Sequence, residues 1–252
     1  MQPLPPSHFA PDLFIPDYVP LRSGDWALDL IELGMMPGYW SGPNLVSGVA
    51  VLHRAGKTWM SITPIELESQ GIGIRLAHGH VLICGLGLGW AAAACAMRDE
   101  VRRVTVIEFD PDVIALHRQL DLFGQLPPER RDKVRIIQAD ALGWRPDGDP
   151  VDFLLPDIWL PLIDDVRLDH VRQMQANVGA GAIHFWGQEL ILARAALQAG
   201  RAIDAEGIAA TVAEWGLPLV GPELPEYAAW TLAAAQRHLP ELRGAPTIAV
   251  TG

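Results

Sequence analysis

From residue 80 onward the chain alternates between short, continuous apolar runs and helix-forming stretches. HVLICGLGLG, VRRVTVIEFD, KVRIIQAD, VDFLLPD and GAIHFWG are the apolar runs. Their apolar residues do not alternate with polar ones. Both faces of each strand are therefore covered, as in a parallel sheet between helical layers. WAAAACAMRDE, PDVIALHRQLDLFG and stretches near 162–177, 187–199, 204–215 and 226–238 read as helices. PTIAV, near the C-terminal end, reads as an edge strand. This alternation predicts an α/β fold with a doubly wound, mostly parallel sheet.

The pattern before residue 70 differs. Residues 1–24 hold Pro3, Pro5, Pro6, Pro11, Pro16 and Pro20 among Phe9, Phe14, Ile15 and Tyr18, which predicts an extended arm that either lies on the body or mediates contacts. Residues 25–70 read as a small antiparallel β region. WALDLIELG is a strand or a short helix. Val49–His53 and Thr58–Ile62 form a hairpin around Ala55-Gly56-Lys57. Thr63-Pro64-Ile65-Glu66 marks a helix start, with Thr63 as N-cap, Pro64 in the first turn and Glu66 closing a capping box. That helix extends to Gln70 or on toward Ala77. The expected organisation is an arm and β-rich region over 1–70 and an α/β domain over 71–252.

Composition narrows the function classes. With 50% hydrophobic and 19% charged residues, the chain of 252 is a globular domain rather than a disordered one. A net charge of −11 disfavours nucleic acid and anionic membrane surfaces as partners. Cys84 and Cys95 suit neither a disulfide framework nor a zinc motif, and the His and Asp residues lack compact ligand spacing, so no metal is expected. Neither a secretory leader nor a clean 18-residue apolar span is visible, which predicts a cytoplasmic protein outside the membrane.

The candidate chemistry gathers at strand ends. The first α/β strand runs into Gly85-Leu86-Gly87-Leu88-Gly89 and then directly into a helix. Such glycines permit a tight turn and close ligand approach, although they also serve as a plain turn. Glu108 ends the next strand, 23 residues beyond Gly85, where a carboxylate accepts hydrogen bonds from ribose hydroxyls. Phe109 or Asp110, just after it, is placed to flank an adenosine. Asp140, with Ala141 beside it, ends the third strand and either meets an adenine amine or caps its turn. Asp157 ends the fourth strand, at the edge where ligands bind in such sheets. Asp157 is the first candidate base and His184, ending the fifth strand, the second. Trp159 and Trp186 follow strand ends and are placed to wall an acceptor site, or to pack in the core. Glu189 either binds a cation or stabilises its own helix N-terminus.

Taken together, HVLICGLGLG, VTVIEFDPDVI, VRIIQADALGW and VDFLLPDIW resemble the successive motifs of class I S-adenosylmethionine-dependent methyltransferases. The preceding β region and WMSITPIELESQ are similar to the spermidine-synthase-like branch. The resemblance implies a Rossmann-like sheet of the seven-stranded type and S-adenosylmethionine as cofactor. It further implies that Gly85, Gly87 and Gly89 shape the methionine and ribose end, that Glu108 holds the ribose and that Asp140 and Ala141 meet the adenine. Gln70 would lie near the cofactor, and Asp157 where acceptor meets donor. The departures are specific. Cys84 stands where many relatives have an acid, and Leu88 and Trp90 replace the aspartate and last glycine of a GGGDGG-like loop. Asp157-Ile158-Trp159-Leu160-Pro161 keeps only the first aspartate of a DSSDP-like loop, and Pro156-Asp157-Ile158-Trp159 is not a DPPY-like motif. The expected function is methyl transfer to a small molecule or peptide. Aminopropyl transfer and a non-catalytic nucleoside-binding or structural role are the alternatives. The branch also implies a homodimer built through the β region.

Overall fold

The computed structural model describes residues 13–242. PTIAV and the first 12 residues of the arm lie outside the described residues. The chain opens with an antiparallel sheet in the order β1 (Leu21–Ser23), β2 (Trp26–Met36), β3 (Asn44–Arg54) and β4 (Lys57–Ser61). WALDLIELG is thus a strand, paired along its length with β3. β3 and β4 are joined through Ala55 and Gly56, between the paired residues Arg54 and Lys57. Both turn residues have positive φ, 47° and 77°, the geometry of a type I′ turn.

Helix α1 (Pro64–Leu76) follows and runs unbroken through residue 70. Thr63 is its N-cap residue and Pro64 lies in its first turn, but the capping box does not form. The Thr63 hydroxyl accepts from Ser61 Oγ at 3.0 Å, and the Glu66 side chain goes elsewhere.

The main layer then alternates as expected: β5 (Gly79–Cys84), α2 (Trp90–Ala96), β6 (Val101–Glu108), α3 (Pro111–Leu120), the short α4 (Pro128–Arg131), β7 (Val134–Gln138), β8 (Phe153–Pro156), α5 (Arg167–Val178) and β9 (Ala182–Ile183). Three more α-helices follow, α6 (Gln188–Gln198), α7 (Ala205–Trp215) and α8 (Tyr227–His238), and a short 3₁₀ helix at Pro240–Leu242 closes the described chain. The helix expected near 162–177 starts only at Arg167, because Asp164 Oδ1 accepts from Val166 N at 3.1 Å in a local turn before the helix begins.

All neighbouring strands of the second sheet are parallel, in the order β7-β6-β5-β8-β9. A parallel bridge between Ile183 and Leu219 extends it past β9. Among the described residues this gives five strands and one bridge of the doubly wound pattern. The strand order reverses at β5, with β6 on one side and β8 on the other. In such sheets the crevice beyond the carboxyl ends at this reversal is where ligands bind.

Two elements are brought over that crevice. Trp26, Leu28, Ala50 and Leu52 of the N-terminal sheet share one apolar cluster with Leu88, Trp90 and Val113 around the glycine turn. The described part of the arm crosses the same place: Trp90 Nε1 donates to Phe14 O at 3.0 Å, and the Tyr18 hydroxyl donates to Leu88 O at 3.1 Å. Among the described residues, no helix is long and apolar enough to cross a membrane.

Candidate functional site

A cavity of about 300 Å³ opens beyond the carboxyl ends of β5, β6, β7 and β8. Gln70, Gly85, Gly87, Gly89, Glu108, Phe109, Asp140, Ala141, Asp157, Trp159, His184 and Trp186 all line it. The residues singled out from strand ends and from the resemblance are therefore brought together in one place.

The glycine turn forms one wall. Gly85, Gly87 and Gly89 have φ of 100°, 50° and 74°, a region that side chains disfavour. Space is short as well. A Cβ on Gly85 would stand 2.0 Å from Asp157 O, and one on Gly87 2.1 Å from Met60 Sδ. The loop after β8 and the N-terminal sheet both press on this turn.

Glu108 faces the turn from the end of β6. Its Oε2 accepts from Leu86 N at 2.9 Å and its Oε1 from Asp110 N at 2.7 Å. Burial raises its carboxyl above the usual range, and these amide donors pull it back. Each oxygen retains a further lone pair for a ligand hydroxyl. Phe109 is 75% exposed at the cavity rim. Asp110 turns to structural work: Oδ1 accepts from Asp112 N at the start of α3, and Oδ2 accepts from Trp26 Nε1 at 3.0 Å. Asp140 Oδ1 accepts from Leu142 N at 2.9 Å, so it does shape its own turn, while Ala141 beside it is buried.

The opposite wall holds two carboxyl groups. Gln70 Nε2 donates to Glu66 Oε2 at 3.1 Å and to Asp157 Oδ2 at 3.0 Å. Burial pushes Glu66 up to about 8, with the charge of Asp157 adding to the rise. Burial pushes Asp157 up to about 7, and the cation of Arg167 opposes it. Arg167 is fully buried. Its guanidinium lies 4.8 Å from the Trp159 ring centre and 5.0 Å from that of Trp186. Nη1 donates to Leu162 O at 2.9 Å and Trp186 O at 2.8 Å, and Nη2 donates to Pro161 O. The two tryptophans are fixed at their nitrogens, Trp186 donating to Ser69 Oγ and Trp159 to His170 Nδ1, each at 3.0 Å.

His184 is buried and bonded to a side chain rather than to backbone through its ring. Its Nε2 lies 3.3 Å from Glu189 Oε1, and Tyr39 donates its hydroxyl to Glu189 Oε2 at 3.2 Å. Glu189 is thus interior and engaged, not a cation site open to the cavity.

Several lining or supporting residues escaped the sequence reading. Glu66 was explained locally as a cap. Trp26 and Trp59 also line the cavity, with Arg54, whose guanidinium lies 5.3 Å and 5.8 Å from their ring centres. Arg167 sits in the charged stretch DDVRLDH and looks like surface.

No known family model and no curated protein matches the chain. Among solved structures, it is similar in part to the glycopeptide N-methyltransferase MtfA complexed with S-adenosyl-L-homocysteine, at 20% identity over 44% of this chain and 41% of that one, with a TM-score of 0.35. The S-adenosylmethionine-dependent methyltransferase SibL in its apo form is 22% identical over 43% of this chain and 30% of its own, with a TM-score of 0.32. The 23S rRNA methyltransferase ErmE is 20% identical over 43% and 36%, with a TM-score of 0.30. The chain spans less than half the length of each of these methyltransferases.

Proposed function

We propose that the chain binds S-adenosylmethionine and transfers its methyl group to an amine or hydroxyl of a small molecule or peptide. The observation that carries this reading is the pairing, in one cavity, of the Gly85–Gly89 turn with Glu108 on one side and the Glu66–Gln70–Asp157 cluster on the other. The residues fit a nucleoside. A cavity of about 300 Å³ falls within the range of roughly 300–1,000 Å³ for small-molecule sites. Glu108 offers lone pairs for ribose hydroxyls, and Phe109, Asp140 and Ala141 border the space beyond it. Gln70 and the glycine turn border the part nearer Asp157.

When bound, the sulfonium supplies an electrophilic carbon whose bond to sulfur breaks with the electron pair left on sulfur. The protein's part is to place the acceptor and take its proton. The buried carboxyl groups suit the placing of an acceptor, because Asp157 is held by the amide of Gln70 where it can accept a hydrogen bond from the acceptor's amine or hydroxyl. Trp159 and Trp186 wall the acceptor side. A net charge of −11 favours a small or peptide acceptor over nucleic acid.

A second reading has a specific observation in its favour. Glu66 adds a second carboxyl beside Asp157, and such a pair suits an ammonium group. This supports aminopropyl transfer to an amine. Incubation with S-adenosylmethionine or its decarboxylated form and a panel containing benzylamine, tryptamine and putrescine separates the two. Release of S-adenosylhomocysteine marks methyl transfer and release of methylthioadenosine marks aminopropyl transfer. Absence of calorimetric binding of either nucleoside product would contradict both.

A further inference from the structure

We propose that Glu189 is a positioning residue that holds His184 with its Nε2–H turned inward and its Nδ1 lone pair available as a proton acceptor at the deep wall of the cavity. The inference rests on the group-transfer reading above and names a base for it. Three separate elements converge to make the arrangement. His184 stands just beyond β9 and lines the cavity. Glu189, in the first turn of α6, faces its Nε2 at 3.3 Å, with the two side chains 1% and 0% exposed. Tyr39, from the loop between β2 and β3, donates to the other Glu189 oxygen at 3.2 Å.

A carboxylate only accepts hydrogen bonds, so the imidazole nitrogen facing it carries the hydrogen. The other nitrogen, Nδ1, is then the basic one. Burial and the charge of Glu189 hold the Tyr39 hydroxyl well above its usual range, so it remains a donor.

Gly73 supplies an independent sign. It lies inside α1, where glycine costs about 1 kcal/mol relative to alanine. A Cβ at that position would stand 2.6 Å from His184 Nδ1, 2.7 Å from Leu155 Cδ2 and 2.9 Å from His184 Cγ. The helix therefore leaves out a side chain where the imidazole lies.

As the acceptor's nitrogen or oxygen forms its new bond to carbon, its proton passes to Nδ1, and the imidazolium formed faces the Glu189 carboxylate. Other titratable or charged groups around this cluster are Tyr227 of α8, whose hydroxyl accepts from Gln188 Nε2, Arg167 of α5, and Glu66 and Asp157 across the cavity.

The experiment is long-range proton–nitrogen NMR of protein labelled at histidine, with His184→Gln assigning the resonance. The wild type is expected to show the Nε2–H tautomer for His184 at neutral pH. Glu189→Gln, which both accepts and donates, should give a mixture of tautomers. Gly73→Ala, which displaces the ring without touching Glu189, should also abolish the single tautomer; a cooperative melt shows that each variant is folded. Transfer to whichever panel amine is turned over should lose kcat more than tenfold in Glu189→Gln with KM little changed, and Glu189→Asp should restore part of it. An Nδ1–H tautomer in the wild type, a signature unchanged in both variants, or an unaltered kcat would overturn the proposal. Calorimetry with S-adenosylhomocysteine reports separately on the cofactor reading, so failure of one is distinguishable from failure of the other.

Discussion

Glu66 and Asp157 are held by a single nitrogen: Gln70 Nε2 donates to one at 3.1 Å and to the other at 3.0 Å. Two carboxyl groups at such a distance from a common donor, out of water, do not ionise independently. Both are raised, to about 8 and about 7, by burial first. The folded state therefore holds protons that the unfolded chain releases at lower pH. Stability from this pair is full below the ordinary carboxyl range and is lost as pH rises through about 7 to 8.

His117 and His80 act in the opposite sense. Burial lowers both, His117 to about 4, so stability from them is present above the ordinary histidine value and is lost as pH falls. Between pH 6.5 and 8 the carboxyl pair dominates. Melting temperature should fall across that interval in the protein, and the slope should flatten in Asp157→Asn. Each proton held corresponds to at most about 1.4 kcal/mol per pH unit. A melting temperature that rises between those limits would contradict the assignment.

The glycine turn predicts an order of severity. Gly85→Ala sets a Cβ against the backbone oxygen of Asp157, which cannot swing aside, at φ 100°. Gly87→Ala sets one against the flexible Met60 side chain at φ 50°. Both substitutions should destabilise, Gly85→Ala by about 3 kcal/mol or more and Gly87→Ala by about 1–2 kcal/mol, measured by urea denaturation. Met60→Ala should relieve part of the second and none of the first.

Ala55 offers the reverse case. It occupies the first central position of a type I′ turn at φ 47°, exposed and followed by Gly56. Asparagine tolerates that conformation better than alanine. Ala55→Asn should stabilise the protein by about 0.5–1 kcal/mol, read as a rise in the urea midpoint with an unchanged slope.

The sheet was legible because burial on both faces leaves strands such as VLIC and VTVI without polar alternation. Glu108 and Asp157 stood out for the same reason: each is the acid that ends such a run. Glu66 did not, because its position after Thr63 and Pro64 already had a local explanation as a cap. Its actual partners are one helical turn away and, through Gln70, across the fold at Asp157. Trp26, Arg54 and Trp59 reach the cavity only because a separate sheet packs over the glycine turn. Arg167 is buried by two tryptophans contributed from different loops, which a charged neighbourhood in sequence does not reveal. Contacts between distant elements carry no spacing rule, so this half of the site needed the structure.

The central claim is that a nucleoside lies against the glycine turn with its ribose on Glu108. Calorimetric titration of S-adenosylhomocysteine into the protein and into Glu108→Gln tests it most directly. Binding to the wild type, weakened about tenfold or more in the variant, is the predicted result, since a hydrogen bond to a charged group contributes about 1.5–3 kcal/mol. No binding to the wild type, or equal affinity in a folded Glu108→Gln variant, would contradict it.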